Sequence, residues 1–425
     1  MQPSSTTRCR PRRNRPLHST LGHAGHAPDP PKASPVVRRR LALAVAPFVL
    51  ATVVGIIVLW PSSPEESSLG GVTEQRSAAT VTDVTEKECE GLQGTGGAFS
   101  CVRVTARLDE GADEGESVEF DMAESAGVRK ITAGDGIFVG RAPGAEDFEG
   151  AQQYFFADYQ RDRPLFLLAL LFTAVVVALS RWRGLSALVG LVLSLLVLVR
   201  FVIPAILEGS NPVVVSIVGA SVIMFAALYL AHGLNVRTTT AVLGTLCSLL
   251  LTGVLAVVFV GAASFTGLAS EEAAFLQISA EQVNLEGLLL GGIIIGTLGV
   301  LDDVTVTQAS AVWELHLANP SYGVRELYAS AVRIGRDHIA STVNTLVLAY
   351  AGASLPLLIL FSLSSRPLGE LITTEIVAEE IVRTLVGSIG LVASVPITTF
   401  LAATVVKGDR AEYRTPRAER AFREV

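Results

Sequence analysis

Apolar residues gather in blocks of about twenty, the length that crosses the hydrocarbon core of a bilayer as a helix. The blocks are Leu41–Trp60, Leu165–Ser180, Leu185–Ile203, Val213–Ala231, Thr239–Ala262, Leu288–Trp313, Thr342–Leu363 and Ile381–Val406. Between the first two the pattern changes. Residues 61–163 hold short alternating runs that fit strands: Ala79–Thr85, Phe99–Leu108, Ser117–Asp121 and Ile137–Val139, with glycine turns at Gly94–Gly97 and Gly134–Gly136. The pattern predicts a polytopic α-helical membrane protein. It has about eight transmembrane helices, with a small extracytoplasmic β-barrel-like domain between helices 1 and 2.

Residues 1–40 show no apolar period and carry nine Arg or Lys against one acid, so they read as a disordered basic cytoplasmic arm. Transmembrane helix 1, residues 41–60, follows Arg38, Arg39 and Arg40 directly. Its full length and its Val-Leu-Trp-Pro ending favour an uncleaved anchor over a signal peptide. The β-domain is 61–163, a seven-helix membrane domain is 164–406, and 407–425 is a charged cytoplasmic tail.

Composition agrees. Of 425 residues only 17% are charged and 6% aromatic, with a net charge of −7 and a mean hydropathy of +0.49. A soluble domain is about 25% charged, so an ordinary soluble enzyme is excluded. No phosphate-binding glycine loop, nucleophile elbow or zinc spacing occurs, which argues against an enzyme, a cofactor or a metal. Lys and Arg in short loops set the orientation. With the basic arm cytoplasmic, the inner loops hold Arg181, Arg183, Arg237, Arg325, Arg333 and Arg336. The outer loops near 204–211 and 263–287 hold none, and 364–380 holds only Arg366. Both termini then face the cytoplasm of a plasma membrane. Residues 61–163 carry a net charge of −12 and lie outside. Cys89 and Cys101 fall in this segment, where they form a disulfide or remain thiols.

Carboxylates inside an apolar helix are costly and point to function. Asp302 and Asp303 interrupt the sixth block. Gly292, Gly296, Gly299, Asp303, Thr307, Ser310 and Glu314 recur every three or four residues and form one stripe. Glycine lets a neighbouring helix approach closely, so this face is expected to pack inward, with Asp303 in the bundle and Asp302 at its edge beside Thr305. Asp337, Ser341, Asn344, Thr345 and Gly352 form a comparable face on the next helix. Glu380, Thr384, Gly387, Gly390, Ser394 and Thr398 do so on the last. Three late helices are thus expected to meet around a polar seam holding a proton or cation, with Asp303 as carrier. Asp302, Thr307, Gln308, Asn344 and Asp337 are the other site candidates.

Weaker signals read as structure. Arg200 snorkels to an interface, Cys247 fills space, and His232, His316 and His338 share no ligand spacing. Ser270 to Ile278 predicts an outer amphipathic helix, and 318–338 an inner amphipathic helix.

In the runs Gly-Thr-Leu-Gly-Val-Leu-Asp-Asp-Val-Thr-Val-Thr-Gln-Ala-Ser (296–310) and Ile-Gly-Arg-Asp-His-Ile-Ala-Ser-Thr-Val-Asn-Thr-Leu-Val-Leu-Ala-Tyr-Ala-Gly-Ala-Ser-Leu-Pro-Leu-Leu (334–358) the chain resembles the bacterial YibE/F-like family of membrane proteins. The resemblance covers about 75–406 and implies topology more than chemistry. In layout the chain also resembles the membrane half of SecD/SecF and RND permeases, which use intramembrane acids for proton coupling. Only Asp302 or Asp303, and Asn344, match that pattern, and the single exported domain ahead of the later helices departs from it. The expected function is a proton- or ion-coupled secondary transporter or translocation factor, with lipids, a proton or cation, and an unnamed cargo or envelope partner as its contacts. No nucleic acid is expected. The alternative is a non-transporting scaffold or sensor whose β-domain binds a cell-envelope partner.

Overall fold

The structure is a computed structural model that describes residues 34–62, 76–87, 99–111, 113–125, 129–142, 153–364 and 367–408. The basic arm up to residue 33, Cys89, the Gly94–Gly97 turn, Arg366 and the tail from 409 lie outside the described residues.

The first helix, α1, runs Pro35–Leu59. Ser34 caps it by accepting from the Val37 N–H at 3.4 Å, and Pro35 starts the first turn, where a missing N–H costs nothing. The helix takes in Arg38 to Arg40, because basic residues extend a helix beyond its apolar stretch without strain.

Five antiparallel strands follow: β1 Arg76–Lys87, β2 Phe99–Leu108, β3 Ser117–Ser125, β4 Gly136–Arg141 and β5 Tyr154–Tyr159, in the order β3-β2-β1-β4-β5. Alternation decides the faces. Val102, Val104, Ala106 and Leu108 of β2 are buried, whereas Arg103 and Arg107 are exposed. A bulge between Val81 and Asp83 bends β1. Edge strands β3 and β5 meet, so the sheet curls into a half-barrel around Val104, Phe120 and Ile137. β5 was not among the expected strands, since Tyr-Phe-Phe runs almost without a break into the next apolar block. Cys101 is disulfide-bonded.

The remaining helices are α2 Asp162–Val197, α3 Ile203–Leu207, α4 Pro212–His232, α5 Val236–Ala262, α6 Glu271–Ser279, α7 Leu285–Ala318, α8 Val324–Ala353, α9 Leu355–Ser362, α10 Leu368–Leu371 and α11 Glu375–Gly408. A π-turn, Leu198–Val202, joins α2 to α3. Short polar side chains start several of them. Asn211 accepts from Val213 N–H at 3.0 Å, Asn235 from Thr238 N–H at 2.9 Å, Ser270 from Ala273 N–H at 3.1 Å and Asn284 from Gly287 N–H at 2.8 Å.

Among the described residues six helices are long and apolar enough to cross a membrane, or seven if the pair α8–α9, bent by 64°, is one span. One of the six, Asp162–Leu207, is 46 residues long, about 69 Å if straight. It is not straight. Arg181 adopts φ +51° and ψ −130°, and a Cβ placed on Gly184 would lie 2.7 Å from the Val176 carbonyl oxygen. Eight residues apart on a straight helix would be about 12 Å, so the chain doubles back at Arg181.

A second difference concerns 318–338. No separate amphipathic helix forms; after the turn at 319–323 the segment from Val324 on is the first half of α8, continuous with the apolar second half. Its Leu327 and Ala331 pack with Val312 of α7 and Ala402, Ala403 and Val406 of α11.

The helix ends are laced at two levels. At one, Glu375 accepts from the Thr266 hydroxyl at 2.9 Å and the Gly267 N–H at 3.0 Å, and Gln282 donates to the Leu207 carbonyl at 2.6 Å. At the other, Lys407 donates to the Pro320 carbonyl at 2.8 Å. The loops at this second level carry the arginines.

Candidate functional site

Three helices form the centre of the membrane part: α5, α7 and α11 pack on one another, and α4 packs on α7. The side of α7 that they cover is bulky. Leu290, Ile293, Ile294, Leu298, Leu301, Val304 and Val312 are buried there. The glycines that do pack on α4 are Gly287, beside Pro212, and Gly291, beside Ser216.

The expected packing stripe is on the open side. Gly292, Gly296, Gly299, Asp303 and Thr307 are exposed, and a Cβ on Gly292 or Gly299 would meet nothing within 4 Å. Near Gly296 lies only the Tyr350 hydroxyl, 3.9 Å from such a Cβ. The assignment of Gly292, Gly296 and Gly299 to helix packing is therefore corrected. The physical reason is packing: lipid tails are as apolar as leucine, so dispersion contact decides, and the Leu and Ile side chains of the opposite face make far more of it with α4, α5 and α11 than glycine would. Gly387 and Gly390 of α11 do lie at close contacts, with Thr297 of α7 and Thr252 of α5.

With the stripe reversed, the acids exchange places. Asp303 is exposed, within electrostatic reach of His232 at the end of α4. Asp302 is turned toward α5. One of its carboxyl oxygens is buried without a hydrogen-bond partner, and Thr245 is in hydrogen-bonding reach of the group. Thr245 and Thr305 share a 2.7 Å hydrogen bond across the helix pair, and both are fully buried. Thr305 also donates to the Asp302 backbone carbonyl at 3.2 Å. The polar group is thus Asp302, Thr245 and Thr305.

Gln308 does not join them. Its amide donates to the Ala331 carbonyl and to the Thr399 hydroxyl, both at 2.7 Å, and so ties α7 to α8 and α11. Thr307 donates to its own helix at the Asp303 carbonyl, 2.7 Å away. Asp337 and Asn344 are exposed, as are Ser341, Thr345 and Gly352. On α8 the apolar residues Ile339 and Val343, like Leu327 and Ala331 nearer its start, face α7 and α11, which leaves the polar face of α8 pointing away. The polar seam that does form runs between α5, α7 and α11. Thr245, Ser248 and Thr252 of α5 lie along it, with Thr398 and Thr399 of α11, all buried.

The residues missed from the sequence are those of α5. Their signal was present: Thr238, Thr245, Ser248 and Thr252 lie on one helical face, but no acid drew notice to them. Among the described residues no group of three or more His, Cys, Asp or Glu side chains is placed to hold a metal ion.

Comparison with known proteins gives one match. The family model described as YibE/F-like protein matches residues 168–408, which contain α4, α5, α7, α8 and α11. No curated protein and no solved structure matches the chain.

Proposed function

Because the chain belongs to the YibE/F-like family of membrane proteins, we propose that it works in the plasma membrane as a proton- or cation-coupled secondary transporter or translocation factor. Asp302 is its ion-carrying group. The observation that carries this reading is the buried, unpartnered oxygen of Asp302 in the packed α5–α7 pair. A buried polar atom without a partner costs about 1–3 kcal/mol. That cost is sustained where the group has work to do, and a carboxyl that takes up a proton acquires a donor and loses its charge.

Asp303 supplies the way in. It stands one residue on, about 100° round the helix, on the open glycine stripe. An ion captured at Asp303 reaches Asp302 by a short step around α7. Thr245 holds the ionised carboxylate, and Thr305 braces Thr245 through their shared hydrogen bond. Gln308 keeps α7, α8 and α11 in register and does not touch the ion.

Dividing Asp162–Leu207 at Arg181 and counting α8–α9 once gives eight spans. With the arginine-bearing turns taken as cytoplasmic, both termini are then cytoplasmic too, and the half-barrel lies outside, where it receives or hands over cargo.

The test uses the full chain reconstituted in vesicles with a pH-sensitive dye inside. An imposed gradient should drive proton movement in the wild type. Asp302→Asn should abolish it while eluting as the same folded species in detergent, and Asp303→Asn should slow it about tenfold. Unchanged movement in Asp302→Asn overturns the assignment. In cells, a phenotype that survives the double Asn variant but is lost on removal of residues 75–160 would make the protein a scaffold or sensor instead.

A further inference from the structure

The N-terminal half of the first helix borders a groove against the bundle. The groove has a volume of about 520 Å³ and is bordered on one side by Leu41, Ala42, Val45, Ala46, Val49 and Val53 of α1. On the other are Tyr229 of α4, the turn residues Leu234 and Asn235, and Val236 and Thr239 of α5. Arg38 closes one end. The remaining α1 residues are apolar, so the lining divides into a charged mouth and a long apolar channel.

From Arg38 to Val53 the helix rises about 22 Å, somewhat more than one leaflet of a hydrocarbon core about 30 Å thick. A molecule that fills it is amphipathic, with an anionic head at Arg38 and a tail one leaflet long. Arg38 makes no ion pair with any described residue. Asn235 spends its side-chain oxygen on the Thr238 N–H and its amide on the His232 carbonyl at 2.8 Å. Among the described residues that line the groove, this cation is thus the one charged group of the mouth. Basic pockets between membrane helices bind anionic lipid head groups. We propose that this groove is a binding site for one anionic phospholipid. The phosphate sits at Arg38, and an acyl chain lies between α1 and the α4–α5 turn.

Arg39 and Arg40 belong to the same basic run but do not line the groove, which separates a built site from general attraction to a charged membrane. The full chain in mild detergent is titrated with phosphatidylglycerol or phosphatidylcholine, and retained lipid is counted by native mass spectrometry. The wild type should retain one phosphatidylglycerol in preference to phosphatidylcholine. Arg38→Gln should weaken that retention about fivefold, the effect of roughly 1 kcal/mol for one surface cation. The Arg39→Gln/Arg40→Gln double variant should retain it, and Ala46→Trp, which fills the channel, should expel both lipids. Equal retention of the two lipids, an unaffected Arg38→Gln variant, or equal loss in the Arg39/Arg40 variant overturns the proposal. So does full displacement by inorganic phosphate, which would mark an anion site without a tail channel.

Discussion

Two neighbouring carboxylates of α7 have opposite surroundings. Asp302 and Asp303 differ by one peptide unit, yet one has a buried oxygen and the other is exposed. Their environments are set by what stands opposite, a threonine-lined helix for Asp302 and open space for Asp303. Thr245 is expected to act through Asp302. Thr245→Val should slow proton movement in the vesicle assay about tenfold, equivalent to one lost hydrogen bond of roughly 1.4 kcal/mol. Thr245→Ser should restore it. A second acid matters outside the membrane. Burial pushes the Asp135 carboxyl up, but the Thr132 N–H at 2.9 Å, the Thr132 hydroxyl at 3.0 Å and Arg129 at 2.7 Å together hold it below the usual carboxylate range. A depressed value means the ionised form stabilises the fold. That stability is present above about pH 4, the unfolded value, and is lost as pH falls through the folded one. Hydrogen-exchange protection of the Val81 and Gly134 amides, which bond within this turn, should fall below pH 4. In Asp135→Asn it should already be three- to tenfold lower at pH 7.

Contact geometry, rather than residue type, governs the elements. A glycine in a membrane helix marks a close approach only where another chain segment is present. Gly335 of α8 is such a place: a Cβ there would lie 2.6 Å from Val395 Cγ1 and 2.7 Å from Gln308 Oε1. Gly335→Ala should therefore destabilise the bundle by about 1–3 kcal/mol. Gly299→Ala, with nothing within 4 Å, should leave thermal stability in detergent unchanged or slightly raised, since alanine favours helix. Equal effects would contradict the packing described here. Gln308→Leu should also lower stability, because two buried bonds joining three helices go with it. The amphipathic start of α8 follows the same logic. Its apolar residues cover the end of α11, so it continues the span instead of lying apart on the surface.

The whole molecule joins a curled five-stranded sheet to a helix bundle whose ends are laced at two levels. The arginine-bearing turns gather at one of these levels and the acidic loops at the other. A reporter fused after Val425 should accordingly be active in the cytosol. Protease added outside intact cells should cut only within the half-barrel or the loops near 204–211, 263–287 and 364–380. Cleavage of the 181–183 turn from outside would reverse the topology. Much of this level was legible early. Block length located the long apolar helices, and alternation located four of five strands. The doubling back at Arg181 was expected from two apolar blocks separated by a basic turn, and Gly184 now shows it in close contact with Val176. What escaped notice was β5, whose aromatic residues merge with the next apolar block, and the role of α5 as the partner of the acid.

Hydropathy and spacing along the chain were enough to indicate a membrane protein with several apolar helices and a small β-sheet. These follow from interactions between each residue and its solvent, and they act locally. Periodicity also grouped the residues that share a helical face. It did not say which face would be covered. That depends on the summed volume of side chains from helices tens to a hundred residues away, and only their packing against α7 turned the leucine face inward, the glycine face outward, and Asp302 toward Thr245.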